Sequence, residues 1–133
     1  KNYWTCALDL ISTIIETCNN NNKFEDIAFK NLENKSKLLQ MLFHGLNEYF
    51  YTVKRNAFAV LGDLITYCPQ AMSKVIHNYF PQIISGLNYK LNHVCTNASW
   101  VIGCCLDKYP ILMKSYNHDK FDLYESILMQ LTK

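Results

Sequence analysis

The residues that could bind a metal or carry out nucleophilic chemistry are six cysteines and four histidines. Their densest groupings are His93-Val94-Cys95 and the pair Cys104-Cys105, and both lack the second pair of ligands that a zinc site requires. There is no His-Glu-x-x-His motif, glycine-rich phosphate loop or nucleophile elbow. We therefore expect no catalytic residues, no metal and no cofactor. We interpret the cysteines as reduced core thiols of a cytosolic or nuclear protein, with Cys104 accessible.

A second set of residues has the composition of a peptide-binding surface. Asn56, Ala59 and Asp63 follow one another at i, i+3 and i+7 on one side of a predicted helix, opposite its apolar residues. Helices 41 residues later and 54 residues earlier carry the corresponding stripes, which we expect to face outward: Asn97, Trp100 and Cys104, and Asn2, Thr5 and Asp9. A tryptophan beside carboxylates would suit an extended ligand with basic and apolar groups.

A simpler interpretation of the same stripes stays open. The aspartates could be merely solvated, and Trp100 could be half-buried against the next helix. The asparagines fit a structural role at least as well, because stacked amides commonly bond to backbone carbonyls of neighbouring turns.

The elements that must position these residues are helices. The chain has 133 residues, 50% of them hydrophobic, with only 4 Gly and 3 Pro, and its apolar residues recur every three or four positions. The spacing predicts a single all-α unit with a flexible Asn-rich loop at about 19–34. A short helical turn around Asp26–Lys30 within that loop stays open as an alternative. Its helices are predicted at about 3–18, 35–47, 52–67, 70–90 with a kink at Pro81, 93–107 and 119–132.

The small net charge of +2 gives no field that would attract nucleic acid or an anionic membrane. No apolar run approaches the roughly 18 residues that a membrane span needs. We expect neither partner to bind directly.

An internal repeat defines the architecture. A shift of 41 residues places Leu42 to Asn47 on Ile83 to Asn88, and the helix at 52–67 on the helix at 93–107. A shift of 54 residues reveals a fainter upstream copy. A period near 40 residues is typical of HEAT-type α-solenoids. We expect about six helices in two and a half helical hairpins, cut from a longer chain.

Three segments resemble the transportin family of beta-type nuclear import receptors: Trp4 to Ile11, Phe58 to Leu64 and Val94 to Gly103. The resemblance covers residues from about 3 to about 106. It implies a fragment of the C-terminal arch, which binds proline-tyrosine nuclear localisation signals of cargo proteins on its concave face. By position it implies that Asp9 and Asp63 meet the basic stretch of the signal. Trp100 would meet its upstream apolar or basic motif.

The resemblance also implies where the chain differs from the family. Thr5 and Asn92 occupy positions near the cargo pocket that are usually isoleucine, and Cys104 replaces an acidic residue. We expect the preferred cargo to differ accordingly. The candidate cargo-binding residues are Asp9, Asp63, Trp100, Asn56, Asn97, Thr5 and Asn92.

The family resemblance further implies a receptor that moves between cytoplasm and nucleus. It implies binding of the GTPase Ran through parts of the full-length receptor outside this segment. The alternative is a HEAT-repeat scaffold for protein assembly that has no transport role, which would bind no basic proline-tyrosine peptide.

Overall fold

The computed structural model describes residues 2–18, 23–115, 117–118, 121–122, 128–129 and 132. The α-helices are α1 (Asn2–Thr17), α2 (Lys23–Glu25), α3 (Leu32–Leu46), α4 (Tyr51–Tyr67), α5 (Pro69–Ser73), α6 (Phe80–Leu87), α7 (Asn92–Lys108) and α8 (Pro110–Ser115). A π-helix spans Asp26–Lys30 and a 3₁₀-helix spans Ile76–Tyr79. A minimal hairpin pairs β1 (Asn117–His118) with β2 (Phe121–Asp122). The predicted all-α fold is confirmed. Within the described residues, no helix is long and apolar enough to cross a membrane.

The repeat is visible in the bounds of the helices. Helices α4 and α7 each contain 17 residues and begin 41 positions apart. Each buries the side that the periodicity selects, with Val53, Ala57 and Val60 on α4 matched by Val94, Ala98 and Val101 on α7. Helix α3 packs against α4, and α6 against α7, so each pair forms a helical hairpin.

The two hairpins end in the same backbone conformation. Cys68 closes α4 with φ −129° and ψ 51°, and Tyr109 closes α7 with the same two angles. Proline follows in both cases, at the start of α5 and α8, where its missing N–H is tolerated. The Tyr109 hydroxyl donates to the carbonyl oxygen of Pro69 at 2.6 Å, which ties the second corner to the first.

The single kinked helix predicted at 70–90 is wrong. Helix α5 ends at Ser73, the 3₁₀-helix follows, and α6 begins at Phe80 with Pro81 in its first turn. Pro81 has no N–H with which to continue an α-helical ladder, so a new helix starts there. The Tyr79 hydroxyl donates to the carbonyl oxygen of Leu39 at 3.3 Å, which holds this break against α3.

The predicted flexible loop at 19–34 is wrong over most of residues 23–34, although a helical turn does lie at Asp26–Lys30, as a π-helix, and residues 19–22 lie outside the described part. Ala28 is buried, and Phe24 and Phe29 pack partly against the core, so this segment has an apolar side that its polar composition obscures. Helix α3 begins earlier than predicted because the side chain of Asn31 caps it. Its Oδ1 accepts a hydrogen bond from the backbone N–H of Asn34 at 3.0 Å.

The helix predicted at 119–132 is wrong at Phe121 and Asp122, which form β2. Leu128 and Met129 are helical, and most of the rest of that prediction lies outside the described residues.

Candidate functional site

Helices α1, α4 and α7 lie side by side, with α4 between the other two, and we call them the three-helix wall. Equivalent hydroxyl groups lie at the joints between its members. The Ser12 hydroxyl of α1 donates to Oδ2 of Asp63 on α4 at 2.7 Å. The Thr66 hydroxyl of α4 donates to the carbonyl oxygen of Gly62 at 2.8 Å, and it lies 3.5 Å from Sγ of Cys104 on α7. These pairs are related by the repeat offsets, so equivalent side chains meet at both joints of the wall.

The asparagine row lies at the joints between the helices of the wall. Nδ2 of Asn56 donates to the carbonyl oxygen of Thr5 at 3.2 Å and to Oδ1 of Asp9 at 3.3 Å. Nδ2 of Asn97 donates to the carbonyl oxygen of Arg55 at 3.0 Å. Because Asn56 is only 5% exposed, the prediction that its stripe faces outward is wrong. These amides join neighbouring helices, as the simpler interpretation proposes.

Asp63 is also turned into the joint between α1 and α4, and its 5% exposure contradicts the predicted outward orientation. Burial raises the pKa of the Asp63 carboxyl to about 6, and the negative charge of Glu16 adds to the increase. The hydrogen bond from Ser12 acts in the opposite direction, because it stabilises the carboxylate. Asp63 therefore holds two helices together rather than offering a free carboxylate.

Trp100 remains at the surface of the wall and is 44% exposed. One part of its indole lies against the backbone of Gly62. A Cβ atom placed on Gly62 would lie 2.6 Å from Cε3 and 2.7 Å from Cη2 of the indole. Only glycine leaves room for the ring at this position. The other part of the indole is available for contact with a ligand.

The remaining candidates lie on α1 and α7. Asp9 is exposed, and the bond from Asn56 fixes one of its oxygens. Thr5 is half-buried, and its carbonyl oxygen accepts the second bond from Asn56. Asn92 is exposed at the first position of α7. The structure thus brings Asp9, Thr5, Asn56 and Asp63 to one joint, and Asn97 and Trp100 to the next.

Sequence reasoning missed Gly62, Ser12 and Glu16 as members of the site. The repeat offsets relate Ser12 to Thr66, which was a usable signal for two paired hydroxyl groups. Gly62 and Glu16 gave no comparable signal in the sequence. The contact of Gly62 with an indole and the proximity of Glu16 to Asp63 arise only when the helices pack together.

The cysteines are unpaired in the structure. Among the residues that the structure describes, no group of three potential ligands could hold a metal ion. Cys104 is half-buried rather than freely accessible, and burial raises the pKa of its thiol.

Stacked helical pairs joined by equivalent corners and equivalent polar bonds define a helical-repeat protein of the solenoid class. Curated relatives indicate which one it resembles. The chain is 29% identical over 116 residues to Transportin-1 of Mus musculus and to Transportin-1 of Homo sapiens, and 26% identical over 116 residues to Transportin of Dictyostelium discoideum.

These alignments cover 87% of this chain and 12% of each relative. The resemblance to transportins is therefore confirmed, for a segment that spans about an eighth of their length. No family model matches the chain, and no solved structure matches it.

Proposed function

We propose that this segment belongs to a nuclear import receptor and that its three-helix wall binds the proline-tyrosine localisation signal of cargo proteins. The exposed indole of Trp100 is the observation that carries the proposal. A large aromatic ring fixed on a glycine and left 44% exposed is a ready contact for an apolar or cationic side chain. Similarity to transportins supports the same assignment.

The proposed roles follow from exposure. Asp9 would pair with a basic residue of the signal, because it is exposed and Asn56 holds it in position. Trp100 would cover the apolar or basic motif upstream. Asp63, Asn56 and Asn97 would act indirectly by positioning the helices, while Thr5 and Asn92 would border the bound peptide.

The receptor would work in the cytoplasm and the nucleus, with signal-bearing cargo proteins as its partners. Binding of Ran is assigned to parts of a full-length receptor other than this segment, and no direct contact with nucleic acid or membrane is proposed.

The test is a fluorescence anisotropy titration of the purified chain with a labelled peptide that carries an apolar residue, a basic stretch and a Pro-Tyr pair, and that ends in a carboxyl-terminal amide. Trp100→Ala removes the aromatic contact, and Asp9→Asn removes the exposed charge with little change of shape. We expect each to weaken binding by about tenfold, the effect of losing one anchor residue or one charged hydrogen bond.

Matched controls distinguish a local site from general attraction. Tyr49→Ala removes another exposed aromatic, and Glu33→Gln removes another exposed carboxylate. Neither should alter the affinity. Equal affinity of the chain and its Trp100→Ala and Asp9→Asn variants would refute the site. Failure of the unaltered chain to bind the peptide would favour the assembly scaffold without a transport role.

A further inference from the structure

The segment between α1 and α3 contains additional structure that the repeat does not require. The two repeat offsets, 54 and 41 residues, differ by 13, and the difference falls in this connection. Its residues form α2 and the π-helix, which packs against α3. Phe24 and Phe29 anchor the segment to the core. The addition is therefore a folded feature with its own surface.

That surface borders a cavity of about 290 Å³ between the π-helix, the first turn of α3 and helix α5. Its size is close to the lower end of the roughly 300–1,000 Å³ found for ligand sites, and it would hold one or two amino-acid residues. The half-buried ring of Phe29 supplies an apolar wall. Polar groups come from Glu25, Gln70 and three lysines, Lys30, Lys35 and Lys74.

The charges around this cavity do not balance. Lys30 is neutralised by Asp26, with 2.7 Å between Nζ and Oδ1, and that bond raises the pKa of Lys30. Lys35 and Lys74 form no ion pair within the described part of the chain. Against these two ammonium groups stands the single carboxylate of Glu25. The cavity thus keeps one positive charge in excess, and Glu25 and Gln70 supply hydrogen-bond acceptors.

We propose that this cavity binds the carboxyl terminus of a partner peptide whose last residue is aromatic or large and aliphatic. The terminal carboxylate of the peptide carries one negative charge, which would balance the one positive charge that Lys35 and Lys74 leave in excess over Glu25. A backbone N–H of the peptide would donate to Glu25, and the last side chain would pack on Phe29. A phosphoryl group fits less well, because its charge of nearly −2 would exceed the available positive charge beside Glu25.

The test compares two amino-terminally labelled peptides of composition Gly-Gly-Ser-Gly-Phe, one with a free carboxyl terminus and one with a carboxyl-terminal amide. Binding to the full 133-residue chain is measured by fluorescence anisotropy at low ionic strength. We expect amidation to weaken binding at least tenfold, since the charged hydrogen bonds to both lysines are lost. A free-acid peptide that ends in Gly instead of Phe should also bind more weakly.

Variants then locate the site. Lys35→Gln and Lys74→Gln, both made at solvent-accessible positions, should each weaken binding of the free-acid peptide by about five- to tenfold. The matched control is Lys37→Gln, on the same helix as Lys35 but paired with Glu33 at 2.7 Å, and it should bind as the unaltered chain does. Equal binding of acid and amide peptides, or equal loss in all three variants, would overturn the proposal. A phosphotyrosine peptide that binds more tightly than the free acid would also overturn it.

Discussion

Replacing Gly62 with alanine tests the contact that fixes Trp100 on the wall. The added methyl group would overlap the indole, with Cε3 2.6 Å away, so the ring or helix α7 must move. Overpacking of this kind costs roughly 1–3 kcal/mol, and the contact with a rigid ring favours the upper end. Alanine also gains about 1 kcal/mol over glycine within a helix. We therefore expect Gly62→Ala to lower the free energy of unfolding by about 2 kcal/mol.

A double-mutant cycle separates these two effects. In the Trp100→Ala background the overlap is absent, so Gly62→Ala should raise the free energy of unfolding by about 1 kcal/mol. The coupling energy between the two positions is then about 3 kcal/mol. Urea unfolding followed by circular dichroism measures all four proteins, since this signal does not depend on the tryptophan that is removed.

Gly103 provides a matched control, because it lies at the equivalent position of α7 and a Cβ atom placed on it would meet no packed neighbour within 4 Å. Gly103→Ala should therefore be stabilising by about 1 kcal/mol. If Gly62→Ala stabilises the protein as much as Gly103→Ala does, the indole does not rest on Gly62 and the description of the site is wrong.

Two further predictions concern titratable groups in the wall. Because the pKa of Asp63 is raised from 3.8 to about 6, the native state retains a proton that the unfolded chain has lost, and stability should fall as the pH rises through this window. The variant Asp63→Asn can still accept the hydrogen bond from Ser12 but has no group that titrates. It should therefore stabilise the protein by at most about 3 kcal/mol near pH 7, and urea titrations should show a weaker dependence of stability on pH. An unchanged pH profile would contradict the burial of the carboxyl. In thiol labelling followed by mass spectrometry, exposed Cys6 should react first and half-buried Cys104 more slowly. Buried Cys105, whose thiol pKa is raised to about 12, should react only on unfolding, and labelling of Cys105 as fast as Cys6 would contradict the packing of α7.

The repeated helices could be predicted from the sequence because their apolar residues must face one core. Val53 and Val94, for example, occupy equivalent buried positions that the 41-residue offset had already related. Breaks within helices were harder to predict. Pro81 indicates that the helix is altered near this position, but not whether it bends or ends. The burial of Tyr79 and its hydrogen bond to Leu39, which the sequence does not reveal, hold the chain in a break between two helices.

The site was predicted less well, for a reason that Asn56 and Asp63 make clear. Periodicity shows that both lie away from the apolar side of α4, and polar residues there are usually solvated. The stacking of α1 buries them, and stacking depends on contacts 47 to 51 residues apart, between Asn56 and Asp9 and between Asp63 and Ser12. A helical period carries no information about such distant neighbours. Trp100, by contrast, is 44% exposed, with part of its ring against Gly62.

The matched corners at Cys68 and Tyr109 bear on how the chain would grow. Two connections with the same pair of backbone angles, each followed by proline, rotate the path of the polypeptide by a similar amount. Repeating one rotation and one translation generates a screw. Any hairpin added through the same connection would extend a spiral whose pitch is already set by residues only 41 positions apart. A change of backbone angle at either corner would therefore change the direction of every hairpin that follows it.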